Sequence, residues 1–128
     1  MIRRRLGSTA MEITSIGIGT WAIGGHLWGG QDDALSIAAI HAALDHGANW
    51  IDTAPIYGSG HSETVVGRAV KALPSSRRPF IFTKFGLGQN SDVPTKSASA
   101  AEVRSDCGLS AGGIGAMPPR ISAGRSPG

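Results

Sequence analysis

The apolar positions of this chain follow two rhythms. Ser15–Gly19, Trp50–Asp52 and Phe80–Lys84 are short apolar runs of the kind that form strands covered on both faces. Between them, apolar residues recur every three or four positions. Leu35, Ala38 and Ala42, with Ile37, Ile40 and Leu44, predict a helix with a broad apolar face, capped by Asp32 and stopped at Gly47. Val65, Val66, Ala69, Val70 and Leu73 predict a second helix, capped by Ser62 and ended near Pro74. Ahead of the first strand, Arg4–Leu6 and Glu12–Thr14 flank Gly7-Ser8-Thr9 and read as a small hairpin. The order is hairpin, β, α, β, α, β. Such alternation implies parallel strands joined by right-handed crossovers. Apolar strands ending in polar residues, here Asp52 and Lys84, fit a (β/α) barrel, whose chemistry lies at the C-terminal strand ends.

Composition changes sharply along the 128 residues. All the aromatic residues precede position 86, while Ser, Ala, Gly and Pro make up 23 of the 38 residues from Ser91 to Gly128. Such a stretch buries too little apolar surface to offset backbone ordering, about 1–2 kcal/mol per residue. Residues 1–90 are therefore expected to fold, and 91–128 to be mostly disordered. Within the tail, Ser99-Ala100-Ala101-Glu102 forms a capping box that predicts a short helix near 99–107. From Gly108 the helical pattern dissolves.

Charge and cysteine content narrow the partners. A net charge of +3 offers no basic stripe for neutralising phosphates, so nucleic acid is not expected. No apolar run approaches the ~18 residues of a membrane span, and no signal-peptide core follows the basic start. Cys107 is alone and forms no internal disulfide, which fits a cytoplasmic protein.

Three polar residues carry the chemistry. Asp52 ends the second strand, Tyr57 lies five residues on, and Lys84 ends the third strand. In parallel neighbours these ends converge on one rim. A free phenol, with a pKa near ~10, is a poor proton donor at neutral pH. A neighbouring ammonium favours the phenolate, and a carboxylate holds the ammonium in place. Together they make a general acid suited to an oxyanion derived from a carbonyl. A plain salt bridge beside a loop tyrosine accounts for the same spacing, so pattern alone leaves both readings open.

The run Asp52-Thr53-Ala54-Pro55-Ile56-Tyr57-Gly58-Ser59-Gly60-His61-Ser62-Glu63 resembles the aldo-keto reductase family, bacterial branch. Gly17-Ile18-Gly19-Thr20-Trp21, Val66-Gly67-Arg68-Ala69 and Thr83-Lys84 extend the likeness, which runs from residue 1 to about 107. The resemblance implies the N-terminal part of a (β/α)8 TIM barrel, with the hairpin plugging its bottom and about three β/α units. It implies NADPH-dependent reduction of aldehydes and ketones. Tyr57 would be the proton donor, Lys84 its partner and Asp52 the support for Lys84. Gly19, Thr20, Trp21 and Asp52 would border the cofactor. Trp28, with His26 and Leu27, would border the substrate mouth. The family also places a catalytic His at the end of a fourth strand and most adenosine-phosphate contacts on the last strands, and these 128 residues have no counterpart to either.

The remaining polar groups read more simply. Gly17-Ile18-Gly19-Thr20-Trp21-Ala22 matches a dinucleotide fingerprint, but the glycines that follow oppose the helix it must open. His41 and His46 are five apart without a third ligand and read as a solvated pair, not a metal site. His61 reads as loop polarity, Arg3-Arg4-Arg5 as a charged hairpin strand and Arg77-Arg78 as a solvated loop. The leading expectation is a fragment of a reductase acting on a small carbonyl substrate; the alternative is a non-enzymatic remnant or binding fragment. Without a fourth strand, Phe80–Lys84 would keep a free edge that invites self-association.

Overall fold

The computed structural model describes residues 1–25, 29–88 and 95–96. β1 (Arg3–Arg5) and β2 (Glu12–Thr14) form the antiparallel hairpin, with Arg4 opposite Ile13 and all three arginines exposed. Its loop is closed by the Leu6 amide donating to Met11 at 2.9 Å and the Thr9 hydroxyl donating to Leu6 at 2.6 Å. β3 (Ile18–Gly19), α1 (Asp33–Asp45), β4 (Trp50–Asp52), α2 (His61–Lys71) and β5 (Phe80–Phe82) follow in alternation. β3, β4 and β5 form one parallel sheet in that order, with Ile51 level with Ile18 on one side and Ile81 on the other.

The core is built where these isoleucines meet the helices. Ile40, Ile51, Val66, Ala69 and Val70 are buried, and Ile18, Ile23, Ile37, Leu44 and Ile81 pack against them. Burying one such side chain contributes about 1.5–3 kcal/mol. The hairpin is tied to the start of β4. The Asn49 side chain accepts from the Thr14 amide and donates to the Glu12 carbonyl, each at 2.8 Å, and the Trp50 indole donates to Thr14 O at 2.8 Å. That end of the strand is opposite the rim where Asp52 stands.

Several local expectations change. The Asp32 side chain does cap α1, accepting from the Leu35 amide at 3.0 Å. The inward stripe of α1 is narrower than the sequence suggested, however. Ile37, Ile40 and Leu44 face the core, while Leu35 is 68% exposed and Ala38 and Ala42 are also exposed. At 100° per residue, positions 35, 38 and 42 centre about 160° round the helix from 37, 40 and 44, on its outward face. Ser62 does not cap α2. Gly60, at φ +90°, takes that position, and Ser62 turns inward within the first turn. His41 is not solvated: it is half-buried, with Nε2 2.8 Å from the Ala69 carbonyl of α2. His46 sits at the end of its own helix, Nδ1 2.8 Å from Ala42 O.

Past β5, β6 (Leu87–Gly88) pairs antiparallel with β7 (Thr95–Lys96). β7 lies within the stretch 91–128, which the composition expects to be mostly disordered. The rest of that stretch, including the helix expected near 99–107 and Cys107, lies outside the described residues. Among the described residues, no helix is long and apolar enough to cross a membrane.

Candidate active site

Parallel register brings the C-terminal ends of β3, β4 and β5 to one rim. Gly19, Asp52 and Phe82 are level across it. One more ladder bond, from the Thr53 amide to Phe82 O at 2.9 Å, carries the pairing past Asp52 and sets the chain that leads to Lys84.

Lys84 is the hub. Its Nζ donates to Asp52 Oδ1 at 2.6 Å, to Thr53 O at 3.1 Å and to Tyr57 Oη at 3.3 Å. An ammonium has three protons, and each has an acceptor here. The charge also lies 5.2 Å from the Tyr57 ring centroid. Partial burial alone would lower the Lys84 pKa. The hydrogen bonds to Asp52 and Tyr57, reinforced by their Coulombic attraction, outweigh burial and hold it above the ordinary lysine value of 10.5.

Tyr57 is delivered by a tight turn. Its amide donates to Ala54 O at 3.0 Å, and its carbonyl accepts from the Ser62 amide at 3.2 Å. Gly58, Ser59 and Gly60 all take left-handed φ values, +61°, +52° and +90°. Ser59 is the only non-glycine with positive φ among the described residues. Beside the turn is a cavity of about 150 Å3 lined by Ala54, Pro55, Ile56, Tyr57, Lys84 and Phe85. It places an apolar wall next to the phenol and the ammonium.

The residues expected to border a cofactor separate into different situations. Gly19 is exposed on the rim, and a Cβ there would meet nothing within 4 Å. The open space beside Asp52 fits the approach of a flat ring. Trp21 is 56% exposed. Thr20 is fully buried, its hydroxyl and amide both donate to Asp52 O, at 2.9 and 3.1 Å, and its carbonyl accepts from Ser62, so it presents no surface to the rim. Trp28, His26 and Leu27 lie outside the described residues.

Sequence reasoning passed over the layer beneath the site. Ser62 Oγ lies 2.8 Å from Thr20 Oγ1, 2.9 Å from Thr20 O and 3.2 Å from Thr53 Oγ1. The proton count orders this group: Thr53 donates to Ser62, Ser62 to Thr20, and Thr20 to Asp52 O. Glu63 is 2% exposed and accepts from Thr83 Oγ1 at 2.7 Å. The signal was the Ser-Glu pair closing the Asp52–Glu63 run. His61, read as loop polarity, is the first residue of α2, and its Nε2 lies 2.8 Å from Asp33 Oδ1. Asp33 also accepts from Arg68, in the last turn of α2, at 2.9 Å, so the start of α1 is tied to both ends of α2.

A parallel sheet alternating with helices, with polar residues gathered on its C-terminal rim, is the arrangement of part of a (β/α)8 barrel. The aldo/keto reductase family model matches residues 15–110, and the chain belongs to that family. It is 43% identical over 98 residues to the aldo-keto reductase YhdN of Bacillus subtilis, covering 77% of this chain and 30% of the relative. It is 44% identical over 84 residues to the NADH-specific methylglyoxal reductase of Escherichia coli, covering 64% and 26%. In three dimensions it is similar to the glycerol dehydrogenase from Gluconobacter oxydans, with a TM-score of 0.74 at 38% identity. That match covers 88% of this chain and 35% of the other. The chain thus spans about a third or less of the length of each of these proteins.

Proposed function

We propose that this chain carries the proton-donating side of a nicotinamide-dependent carbonyl reductase site, with Tyr57 as the general acid and NADPH as the reductant. The observation that supports this most directly is the set of three hydrogen bonds from Lys84 Nζ to Asp52, Thr53 and Tyr57. Because Tyr57 Oη accepts from Lys84, its own proton is left to point elsewhere, toward a carbonyl oxygen. A reduced nicotinamide bound beside this rim would supply the hydride. As negative charge develops on the carbonyl oxygen, Tyr57 transfers its proton and becomes a phenolate. The ammonium of Lys84 stabilises that charge, and Asp52, at 2.6 Å, keeps Lys84 in position and protonated. The product is an alcohol.

The remaining assignments follow the rim. Gly19, Trp21 and Asp52 form the side on which a nicotinamide would rest, with the buried Thr20 beneath them. The apolar cavity walled by Pro55, Ile56 and Phe85 suits the substituent of a small aldehyde or ketone. Trp28 is assigned to the substrate mouth from the family likeness alone. The Escherichia coli relative, named for NADH and methylglyoxal, supports a nicotinamide and a small carbonyl substrate.

The test is a segment exchange. The matched stretch of the Bacillus subtilis relative is replaced by this chain's residues, and reduction of aldehydes is followed with NADPH and with NADH. The exchanged protein is expected to turn over, and Tyr57→Phe within it to lose about 10²–10⁴-fold in rate. Full activity in the Tyr57→Phe form would overturn the assignment.

A further inference from the structure

Two adjacent residues at the start of α2 reach all three strand ends. Ser62 bonds Thr20, which follows Gly19 at the end of β3, and Thr53, which follows Asp52 at the end of β4. Glu63 bonds Thr83, which precedes Lys84 just past β5. Each threonine is therefore the sequence neighbour of a residue on the rim. The same turn of chain carries Tyr57, whose carbonyl receives the Ser62 amide at 3.2 Å.

We infer that the first turn of α2 holds the rim in register and that Glu63, acting through Thr83, is a positioning residue for Lys84 in addition to Asp52. The inference rests on the functional reading above for its catalytic meaning, though its geometry stands apart from it. Lys84 needs such help. Its side chain is 51% exposed on a flexible four-carbon stem, and its backbone lies beyond the last register pair of β5, Asp52 with Phe82. The Thr83–Glu63 bond fixes the residue immediately before it.

Glu63 is suited to the task by its own surroundings. A carboxylate is costly to bury unless it accepts hydrogen bonds. Here it sits in the first helical turn, where the positive end of the helix dipole favours negative charge. A hydroxyl bonded to a carboxylate makes a short, strong contact, and 2.7 Å falls in that range. A helix that merely packed on the sheet would have no use for a buried carboxylate at this position. Val65, Val66, Ala69 and Val70 already supply that packing. The Ser-Glu pair adds a polar connection directed only at the strand ends.

The test uses the whole chain and needs no substrate. Competitive acylation at about pH 8.5 reads the free-amine fraction of Lys84, with Lys71 and Lys96, the other two lysines, as internal standards. Thr83→Val removes the hydroxyl at an exposed position and leaves the core untouched. It is expected to raise the relative acylation rate of Lys84 by about 3-fold or more, as Lys84 leaves Asp52 and Tyr57. Thr83→Ser, which keeps the hydroxyl, is expected to hold the wild-type rate. Glu63→Met, where it folds, is expected to match Thr83→Val, with no further increase in the double variant. The inference is overturned if Thr83→Val leaves Lys84 unchanged, if Thr83→Ser rises with it, or if the double variant is additive. Loss of this result leaves the Tyr57 assignment to its own turnover test, and loss of that assignment leaves this one standing.

Discussion

Gly24 and Gly58 meet backbone to backbone: a Cβ on Gly58 would lie 2.0 Å from the Gly24 carbonyl oxygen, and one on Gly24 would lie 2.7 Å from the Gly58 nitrogen. Neither obstacle is a side chain that could swing away. This contact seats the Tyr57 turn on the loop that follows β3, so it sets where the phenol stands. Gly60, two residues on, is also left-handed, yet a Cβ there meets nothing within 4 Å. The two positions separate strain from collision. Gly60→Ala is expected to cost about 1–2 kcal/mol, the strain of a left-handed L-residue. Gly58→Ala adds overpacking and is expected to cost roughly 2–5 kcal/mol in all. Urea unfolding of both variants checks this, and equal losses would show that the loop contact is not rigid.

The Ser62 hydroxyl sits at the centre of the buried Thr20–Thr53 group. Replacing it with alanine leaves Thr53 Oγ1 without its acceptor and removes a donor from Thr20. Leaving buried polar atoms unsatisfied costs about 1–3 kcal/mol. Ser62→Ala is expected to destabilise the fold by that amount. The methyl group nearly preserves volume, so cavity formation would not account for such a loss. A change within about 0.3 kcal/mol of zero, on the same urea assay, would mean that this group contributes nothing net.

Lys84 gives the fold a pH dependence of definite sign. Its pKa in the folded chain stands above the ordinary 10.5, because its bonds to Asp52 and Tyr57 outweigh burial. A raised pKa contributes stability that is fully present below the unfolded value and is lost as pH rises through the folded value. Wild type and Lys84→Met should therefore differ by a constant amount up to about pH 10 and converge above about pH 10.5. Making the comparison in a Tyr57→Phe background removes the phenol bonded to Lys84, so the titration of the remaining shared groups cancels. Half of the Lys84 side chain is in solvent, so the converging difference is small. A difference that widens with pH would contradict the geometry.

Much of this layout was legible in the sequence, because the strong signals are local. Asp32 as a cap and Trp50–Asp52 as a strand follow from neighbours within a few positions, and the structure has both. The rim was legible for another reason: parallel strands must place Asp52 and the residues past Phe82 at the same end. What escaped is non-local. Which stripe of α1 faces inward depends on where α2 lies, so Leu35 looked like a core residue and is exposed. Ser62 has the chemistry of a cap, but three left-handed residues before it start the helix at His61 and free its hydroxyl for Thr20 and Thr53. His41 was misread because the Ala69 carbonyl that engages it is 28 residues away.

The site also sets an expectation for residues 1–128 on their own. Asp52, Tyr57 and Lys84 are assembled, and a phenol poised beside an ammonium is the acid half of the proposed reaction. The other half is a held cofactor, and the family likeness assigns most adenosine-phosphate contacts, with a catalytic His, to strands beyond those described. Removing one positioned acid–base or electrostatic group typically costs 10²–10⁴-fold. Among the described residues, neither that His nor those contacts join the three groups. Gly19 and Trp21 alone offer a small surface for a dinucleotide. The chain by itself is therefore expected to show no aldehyde-dependent NADPH oxidation above background, followed by absorbance, and no saturable NADPH binding in the micromolar range by fluorescence. Oxidation that depends on an aromatic aldehyde and disappears in Tyr57→Phe would contradict this. It would mean that the three groups on this rim, with their threonine layer beneath, suffice to hold and use the cofactor.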